Sequence, residues 1–389
     1  MKNSEVDKNT ASVSALLDDL FEVQAVYRQR ESLVFSLTCR FDRRRSVPLI
    51  KDRLKLAGYK FTLTEGEQAL FLTIDPKQHF RIPTTNVVLF VLTLFSVYFV
   101  PVFLRNLPPI MYRLVKQAAI PPQTFLEEMR LTLDAIPLTF HATLHDLAHG
   151  AGIVFTLALI SILFVHEMGH FIASRRRNII TSWPYFIPAP NIIGTFGAVI
   201  TSKSPFWNRR DLIEVGAAGP IAGWVVAIGW LLWGLSQSAC LPLEAFTLKD
   251  MVFSLDGESI IMRIATLGLV GEAPQGSYYM LSEAAFAGWV GMLVTAINLL
   301  PIGQLDGGHI LYGLGRRRQF FLARIAMVAL IVLGFQSLMW WFFAAFGLFF
   351  GVKHPPTLDD SRQPGGVAMA MGITSLVILV LSFTPVPFH

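Results

Sequence analysis

The sequence predicts a polytopic all-α membrane protein preceded by a small α+β soluble domain, on three observations. Of its 389 residues, 53% are hydrophobic and only 15% are charged, and mean hydropathy is +0.52. Soluble domains carry about 25% charged residues. Several uncharged stretches approach the roughly 20 residues that cross a bilayer core. The basic residues cluster at the ends of those stretches, as membrane topology produces. The net charge of +5 and pI near 9.2 therefore report topology, and nucleic-acid binding is not expected. Cys39 and Cys240 lie too far apart in sequence to suggest a disulfide framework or a cysteine zinc site. The first forty residues are mixed and charged, so neither a cleavable signal peptide nor a transit segment is expected.

Residues 1–82 read as the soluble domain, cytoplasmic and a possible seat for a regulator. Ala11 to Leu20 suggests a short helix and Ser32 to Phe41 a strand. Val47 to Leu56 reads as an amphipathic helix stopping at Gly58. Lys60 to Thr64 and Ala69 to Ile74 form a hairpin through Glu65-Gly66-Glu67. Residues 83–149 hold the first span, Asn86 to Leu104, and an external loop over 105–146 with Pro and charge. Residues 150–320 form the central core. Its spans are Gly150 to Ser174, Leu212 to Gln237 and Ala284 to Ile302, with a polar excursion over 238–282. Residues 321–389 hold the rest. Ala323 to Phe350 is either one tilted helix or a pair broken at Gly334-Phe335-Gln336-Ser337, and Val367 to Thr384 is the last span. The total is six spans, or seven if the long stretch breaks.

With the N-terminus inside, alternating crossings put four basic clusters on one side: Arg43 to Arg45 with Arg81, Arg175 to Arg177, Lys203 with Arg209 and Arg210, and Arg316 to Arg318. The positive-inside rule makes that side cytoplasmic. These arginines read as solvated loop charges that report orientation.

The chemistry is carried by His166-Glu167-Met168-Gly169-His170, at the end of an uncharged run. On a helix, residues four apart share a face, so both imidazoles can hold one Zn²⁺. Glu167 sits beside the first ligand, where it can take a proton from a metal-bound water. Catalytic zinc sites have three protein ligands and an open position. Asp306 is the best third ligand. A carboxylate at the cytoplasmic end of a span is costly unless paired or ligated, and the topology sets it at the depth of the two histidines. Gly307 and Gly308 would let the backbone turn tightly beside the ion, and Pro301 would break the helix so that Asp306 projects inward.

His166-Glu-x-x-His170 closing one span, with Asn298-x-x-Pro301-x-x-x-Leu305-Asp306-Gly307-Gly308 closing a later one, resembles the site-2 protease family of intramembrane zinc metalloproteases. Further likenesses are Trp183 to Pro190, Gly194 to Ala198 and Glu214 to Gly223. His354-Pro-Pro356 with Asp359-Asp360 is similar to a C-terminal feature of the bacterial and plastid branch that lacks a PDZ domain. The resemblance covers about residues 150–366. It implies one Zn²⁺ per chain held by His166, His170 and Asp306, with Glu167 as general base and later proton donor to the leaving amine. It implies a role for Asn298 near the oxyanion or the substrate backbone. The sequence alone shows an amide at a helix end, which could equally bond a neighbouring helix.

The segment Ile187 to Ile200 is too rich in Pro and Gly to span and too apolar for an ordinary loop. In the family it resembles a re-entrant hairpin beside the active site. Its edge could pair with an unwound substrate by strand addition, which makes Gly194, Thr195, Phe196 and Gly197 the expected substrate contacts. The implied function is proteolysis within or near the membrane segments of single-span proteins, as in regulated intramembrane proteolysis. The implied setting is a lipid bilayer, a bacterial inner membrane in preference to a plastid one. A zinc transporter or sensor with the same ligands is the competing reading. It would not need Glu167, and it would favour polar residues running on through several spans. A silent scaffold is disfavoured by the intact ligand set.

Other features carry bland readings. His145 and His149 repeat the four-residue spacing at the opposite end of the motif span, without a glutamate, and read as interfacial. His309 reads as lying beside the ligands or at the interface. Gly219-x-x-x-Gly223, and Gly288 with Gly291, read as close helix packing. Trp340 to Phe343 reads as an aromatic belt.

Overall fold

The computed structural model describes residues 2–29, 32–57, 59–66, 69–75, 82–117, 124–177, 179, 181–202, 206, 208–242, 258–357, 359–361 and 363–387. Gly58, Glu67, Arg81 and Lys203, which entered the sequence reading, lie outside the described residues, as does the middle of the polar excursion.

The N-terminal unit is α+β. Its elements are α1 (Lys2–Leu17), β1 (Phe21–Gln29), β2 (Ser32–Cys39), α2 (Arg43–Leu56), β3 (Lys60–Glu65) and β4 (Leu70–Asp75). The strands form one antiparallel sheet in the order β1-β2-β4-β3. Alternating residues of β2 and β4, namely Leu33, Phe35, Leu37, Leu70, Leu72 and Ile74, bury one face against Val13 and Leu17 of α1 and Ile50 and Leu54 of α2. This core is separate from the membrane-type one. The sequence reading missed β1, although Phe21, Val23 and Ala25 alternate with polar residues as a half-buried strand does.

The rest of the described chain is mostly helical: α3 (Thr84–Gln117), α4 (Phe125–Ala148), α5 (Ile153–Arg176), α6 (Arg209–Leu235), α7 (Ile260–Leu269), α8 (Glu283–Asn298), α9 (Asp306–Leu314), α10 (Arg316–Leu333), α11 (Leu338–Phe350) and α12 (Gly366–Ser382). Two short antiparallel hairpins complete it. One pairs β5 (Tyr185–Pro188) with β6 (Thr195–Val199), and the other pairs β7 (Ala239–Pro242) with β8 (Ser277–Met280). Among the described residues three helices, α3, α5 and α6, are long and apolar enough to cross a membrane.

The region expected to be an external loop is helical over most of its length. The first span runs on to Gln117, and α4 packs beside it. Of the prolines that suggested a loop, Pro108, Pro109 and Pro137 sit inside these helices, and Pro121 and Pro122 lie outside the described residues. Packing between two long helices outweighs the lost backbone bonds. The stretch 323–350 breaks into α10 and α11 with Gly334 to Ser337 between them, the paired alternative of the sequence reading.

The membrane-type core sits where α5, α6 and α8 meet. Helix α8 is buried on all sides, the pattern of a central helix in a large core. Close approach between α6 and α8 is set by glycine. A Cβ on Gly234 would lie 2.0 Å from the backbone N of Ala285, and one on Gly288 would lie 2.6 Å from that of Leu231. A carboxylate closes the other end of α5. Glu283 accepts from the backbone N–H of Gly152 at 2.8 Å and of Phe155 at 3.4 Å, filling orphan donors of the first turn.

Candidate metal centre

Helix α5 carries His166, Glu167 and His170, and the two histidines face α6 and α9. Two glycines of α6 make this possible. A Cβ on Gly219 would lie 2.1 Å from His170 Nε2, and one on Gly223 would lie 2.9 Å from His166 Cβ. The pair read as a packing motif is therefore the cradle for both imidazoles. Helix α9 brings Asp306 as its first residue. The two glycines after it act by close approach. A Cβ on Gly307 would meet the carbonyl of Leu299 at 1.9 Å, and one on Gly308 that of Gly303 at 2.3 Å. Thus the α9 start presses onto the 299–305 linker, which contains Pro301 and follows the end of α8.

The three side chains converge. His166 Nε2 and Asp306 Oδ2 are 3.4 Å apart, His170 Nε2 and Asp306 Oδ2 are 3.2 Å apart, and the two Nε2 atoms are 3.2 Å apart. A tetrahedral ion with bonds of about 2.0–2.1 Å would set its ligand atoms about 3.3–3.4 Å from one another, so the donor set fits Zn²⁺. Tautomer chemistry agrees. His170 Nδ1 donates to the Val215 carbonyl at 2.8 Å, which leaves the Nε2 lone pair for a cation and fixes the ring. His166 and Glu167 are buried, and His170 and Asp306 nearly so. Glu167 Oε2 has no hydrogen-bond partner among the described residues, a costly state that a water held in the site would relieve.

All four groups line one cavity of about 270 Å³. Asn298, the last residue of α8, lines it too, as do Gln304 and His309. Residues 194–197 do not. Gly194, at φ +76°, packs against α3, where a Cβ would lie 2.5 Å from Val97 Cα. Thr195 is buried; its Oγ1 donates to the Ile187 carbonyl at 2.7 Å and accepts from the Gly197 N–H at 2.9 Å. Phe196 points outward, and a Cβ on Gly197 would meet nothing within 4 Å. The cavity wall is made instead by the next five residues, Ala198 to Ser202. Helix α3 fixes this hairpin. Asn86 Nδ2 donates to the Trp183 and Pro184 carbonyls, and Ser96 Oγ donates to that of Ala189. Contacts across about ninety residues of sequence could not be read from either segment alone.

The arginine clusters do more than report topology. Arg177, just past α5, and Arg210 both bond Glu214 of α6; the Arg210 Nε to Glu214 Oε1 distance is 2.8 Å. Glu214 precedes Val215, whose carbonyl orients His170. His145 and His149 stack at 4.4 Å on α4, both exposed, and converge with no third ligand among the described residues.

Comparison with known proteins agrees with this geometry. The sequence model described as "Peptidase family M50" matches residues 154–340, both halves of the metal site included. Over those residues the chain is similar to peptidase family M50, the site-2 protease family. Among its relatives, the probable zinc metalloprotease EGY2, chloroplastic, of Oryza sativa subsp. indica is 31% identical over 244 residues. That match takes in 61% of this chain and 43% of that protein. EGY1, chloroplastic, of Arabidopsis thaliana is 30% identical over 245 residues, with the same two shares. EGY1 of Oryza sativa subsp. japonica is 26% identical over 417 residues, 97% of this chain and 68% of that protein. The chain thus spans less than half the length of the first two relatives. No solved structure matches it.

Proposed function

We propose that this chain is an intramembrane zinc metalloprotease that cuts peptide bonds within or near the membrane segments of single-span proteins. The observation that carries the reading is the set of three ligand atoms 3.2–3.4 Å apart, with the partnerless Glu167 oxygen in the same cavity. Relatives named as zinc metalloproteases support it. A bound Zn²⁺ supplies Lewis acidity and a water of lowered pKa. Glu167 takes the proton of the attacking water and returns it to the leaving amine. Asn298, on the cavity wall, gives a hydrogen bond to the developing oxyanion. The substrate unwinds and adds to the free edge of β6, whose end and the residues beyond it border the cavity. An unwound strand is required because a helix hides its peptide bonds and has already hydrogen-bonded them.

The membrane is a plastid one in this reading, since the relatives above are chloroplastic. The bacterial inner membrane draws no support from them. The chain crosses six or seven times, and the N-terminal domain and the metal face the same aqueous side.

The test is cleavage of a single-span membrane protein in detergent micelles by the wild type and Glu167→Gln, each with and without a zinc chelator. Wild-type cleavage should stop with chelator. Glu167→Gln should lose about a thousandfold or more in kcat while keeping its zinc. No cleavage by the zinc-loaded wild type would leave a transporter or sensor as the better account of the ligands, and undiminished cleavage by the zinc-loaded variant would refute Glu167 as the base.

A further inference from the structure

The cavity has a hydroxyl-rich wall that the mechanism above makes no use of. Ser174, Thr181, Thr201 and Ser202 all line it. Ser174 follows His170 by four residues on α5, so it shares the face of the two imidazoles, about 6 Å further along the helix. Thr181 bridges Ser202 in the antiparallel sense, and the neighbouring pair is fixed as well. Ser182 N–H donates to the Thr201 carbonyl at 2.9 Å, and Ser182 Oγ accepts from the Thr201 N–H at 3.0 Å. These bonds tie Thr181 to the Ala198 to Ser202 wall.

Two of these hydroxyls are orphans. Ser174 Oγ and Thr181 Oγ1 have no hydrogen-bond partner among the described residues, although Ser174 is fully buried and Thr181 is only 7% exposed. A buried hydroxyl on a helix commonly bonds the carbonyl four residues back, as Thr139, Thr143 and Thr295 do here. Ser174 does not. A buried hydroxyl without a partner is costly. Two of them in the wall of one cavity, the first a single helical turn from a metal-facing histidine, mark a place where an incoming group completes the hydrogen bonds.

We propose that Ser174 and Thr181 form a specificity subsite that takes an uncharged hydrogen-bonding side chain of the bound polypeptide, asparagine above all. The proposal rests on the proteolytic reading and deepens it. A hydroxyl both donates and accepts, so the pair can serve the carbonyl and the NH₂ of one carboxamide. An extended peptide advances about 3.3 Å per residue. The step of about 6 Å beyond His170 therefore corresponds to a side chain about two residues from the bond that is cut. A site built around hydrogen bonds rejects a side chain that lacks them far more strongly than an apolar slot rejects a change of size. Membrane segments hold few such side chains, so the subsite chooses where along the segment the cut falls.

The experiment uses the full chain in detergent micelles and a set of single-span substrates. Each carries a membrane segment of about 20 leucines and alanines, with one asparagine moved along it residue by residue. The parent has none, and cut sites are read by mass spectrometry. Zinc-loaded wild type should cleave the substrate whose asparagine lies about two residues from the cut roughly ten- to hundredfold better in kcat/KM than the parent. This preference is a ratio within one enzyme, so partial loss of folded protein does not move it. Ser174→Ala and Thr181→Val should each lower it about tenfold with zinc content unchanged, and Thr181→Ser should keep it. Asparagine also loosens the substrate helix, which gives a preference independent of the enzyme's hydroxyls. A preference that survives in both hydroxyl-free variants would therefore overturn the proposal. Wild-type cleavage without any preference would overturn it too and leave the proteolytic reading standing. No cleavage of any substrate by the zinc-loaded wild type would overturn both.

Discussion

Gly219 has a Cβ position only 2.1 Å from a metal-facing nitrogen, and this sets a sharp expectation. Gly219→Ala adds one methyl group and raises intrinsic helix propensity by about 1 kcal/mol, yet it should expel the His170 ring. Zinc per chain should fall well below the wild-type value and cleavage with it, measured by metal analysis on purified protein. Gly229→Ala is the control, since a Cβ there meets nothing within 4 Å. At this scale the sequence was most legible for the ligands. His166 and His170 are fixed by helical period, and Asp306 by the cost of a carboxylate at membrane depth. The cradle was legible only as a spacing. Which side chain Gly219 and Gly223 make room for depends on which helix lies alongside, and no local pattern encodes that. Asn298 does line the cavity, whereas Gly194 and Thr195 are spent on holding the hairpin. They were singled out by their likeness to a family segment, whereas Ala198 to Ser202, which line the cavity, follow them in a hairpin that α3 holds in place.

Among the elements, β4 ends on a group with a measurable titration. Burial pushes the Asp75 carboxyl up to about 6, only partly offset by its hydrogen bond from Ser32 Oγ. The folded domain then holds a proton that the unfolded chain releases near 4. Stability falls as pH rises from about 4 to about 6 and stays at the lower level above that, a change of at most about 3 kcal/mol. NMR titration of the labelled full-length protein should place the Asp75 midpoint near 6, and Asp75→Asn should flatten the stability change across that window. A midpoint near 4 would show the carboxylate to be solvated. The elements themselves were read with uneven success. Strand β1 was missed despite its alternation, because it follows α1 after a short turn and begins in the acidic stretch around Asp18, Asp19 and Glu22. Helix α4 reads as loop in the sequence because its one proline and its charges at Glu127, Glu128, Arg130 and Asp134 outweigh a stripe of Leu126, Met129, Leu133, Ile136 and Phe140. The break between α10 and α11 was legible, since Gly334 and Ser337 interrupt an otherwise unbroken apolar run.

Across the whole molecule, the proposed crossings put the two cysteines on opposite sides of the bilayer. Cys39 ends β2 in the N-terminal domain, and exposed Cys240 lies in β7, just past the end of α6 away from the metal. A membrane-impermeant maleimide added to sealed vesicles should modify one thiol from each face. Cys39 should react more slowly, because burial raises its thiol pKa. Labelling of both from a single side would require a different number of crossings. The expected orientation rests on basic clusters such as Arg175 to Arg177 and Arg316 to Arg318. The pairing of Arg177 and Arg210 with Glu214 was not legible, because a basic cluster reads the same whether solvated or bonded.

Every ligand that the sequence signals lies at or before Asp306, yet the chain comes back to that helix some forty residues later. Gly303 N–H bonds the Val352 carbonyl, and Gln319 ties the Pro301 and Val352 carbonyls together. A fragment cut at the last signature would lose those bonds, so metal uptake should need the chain beyond Val352.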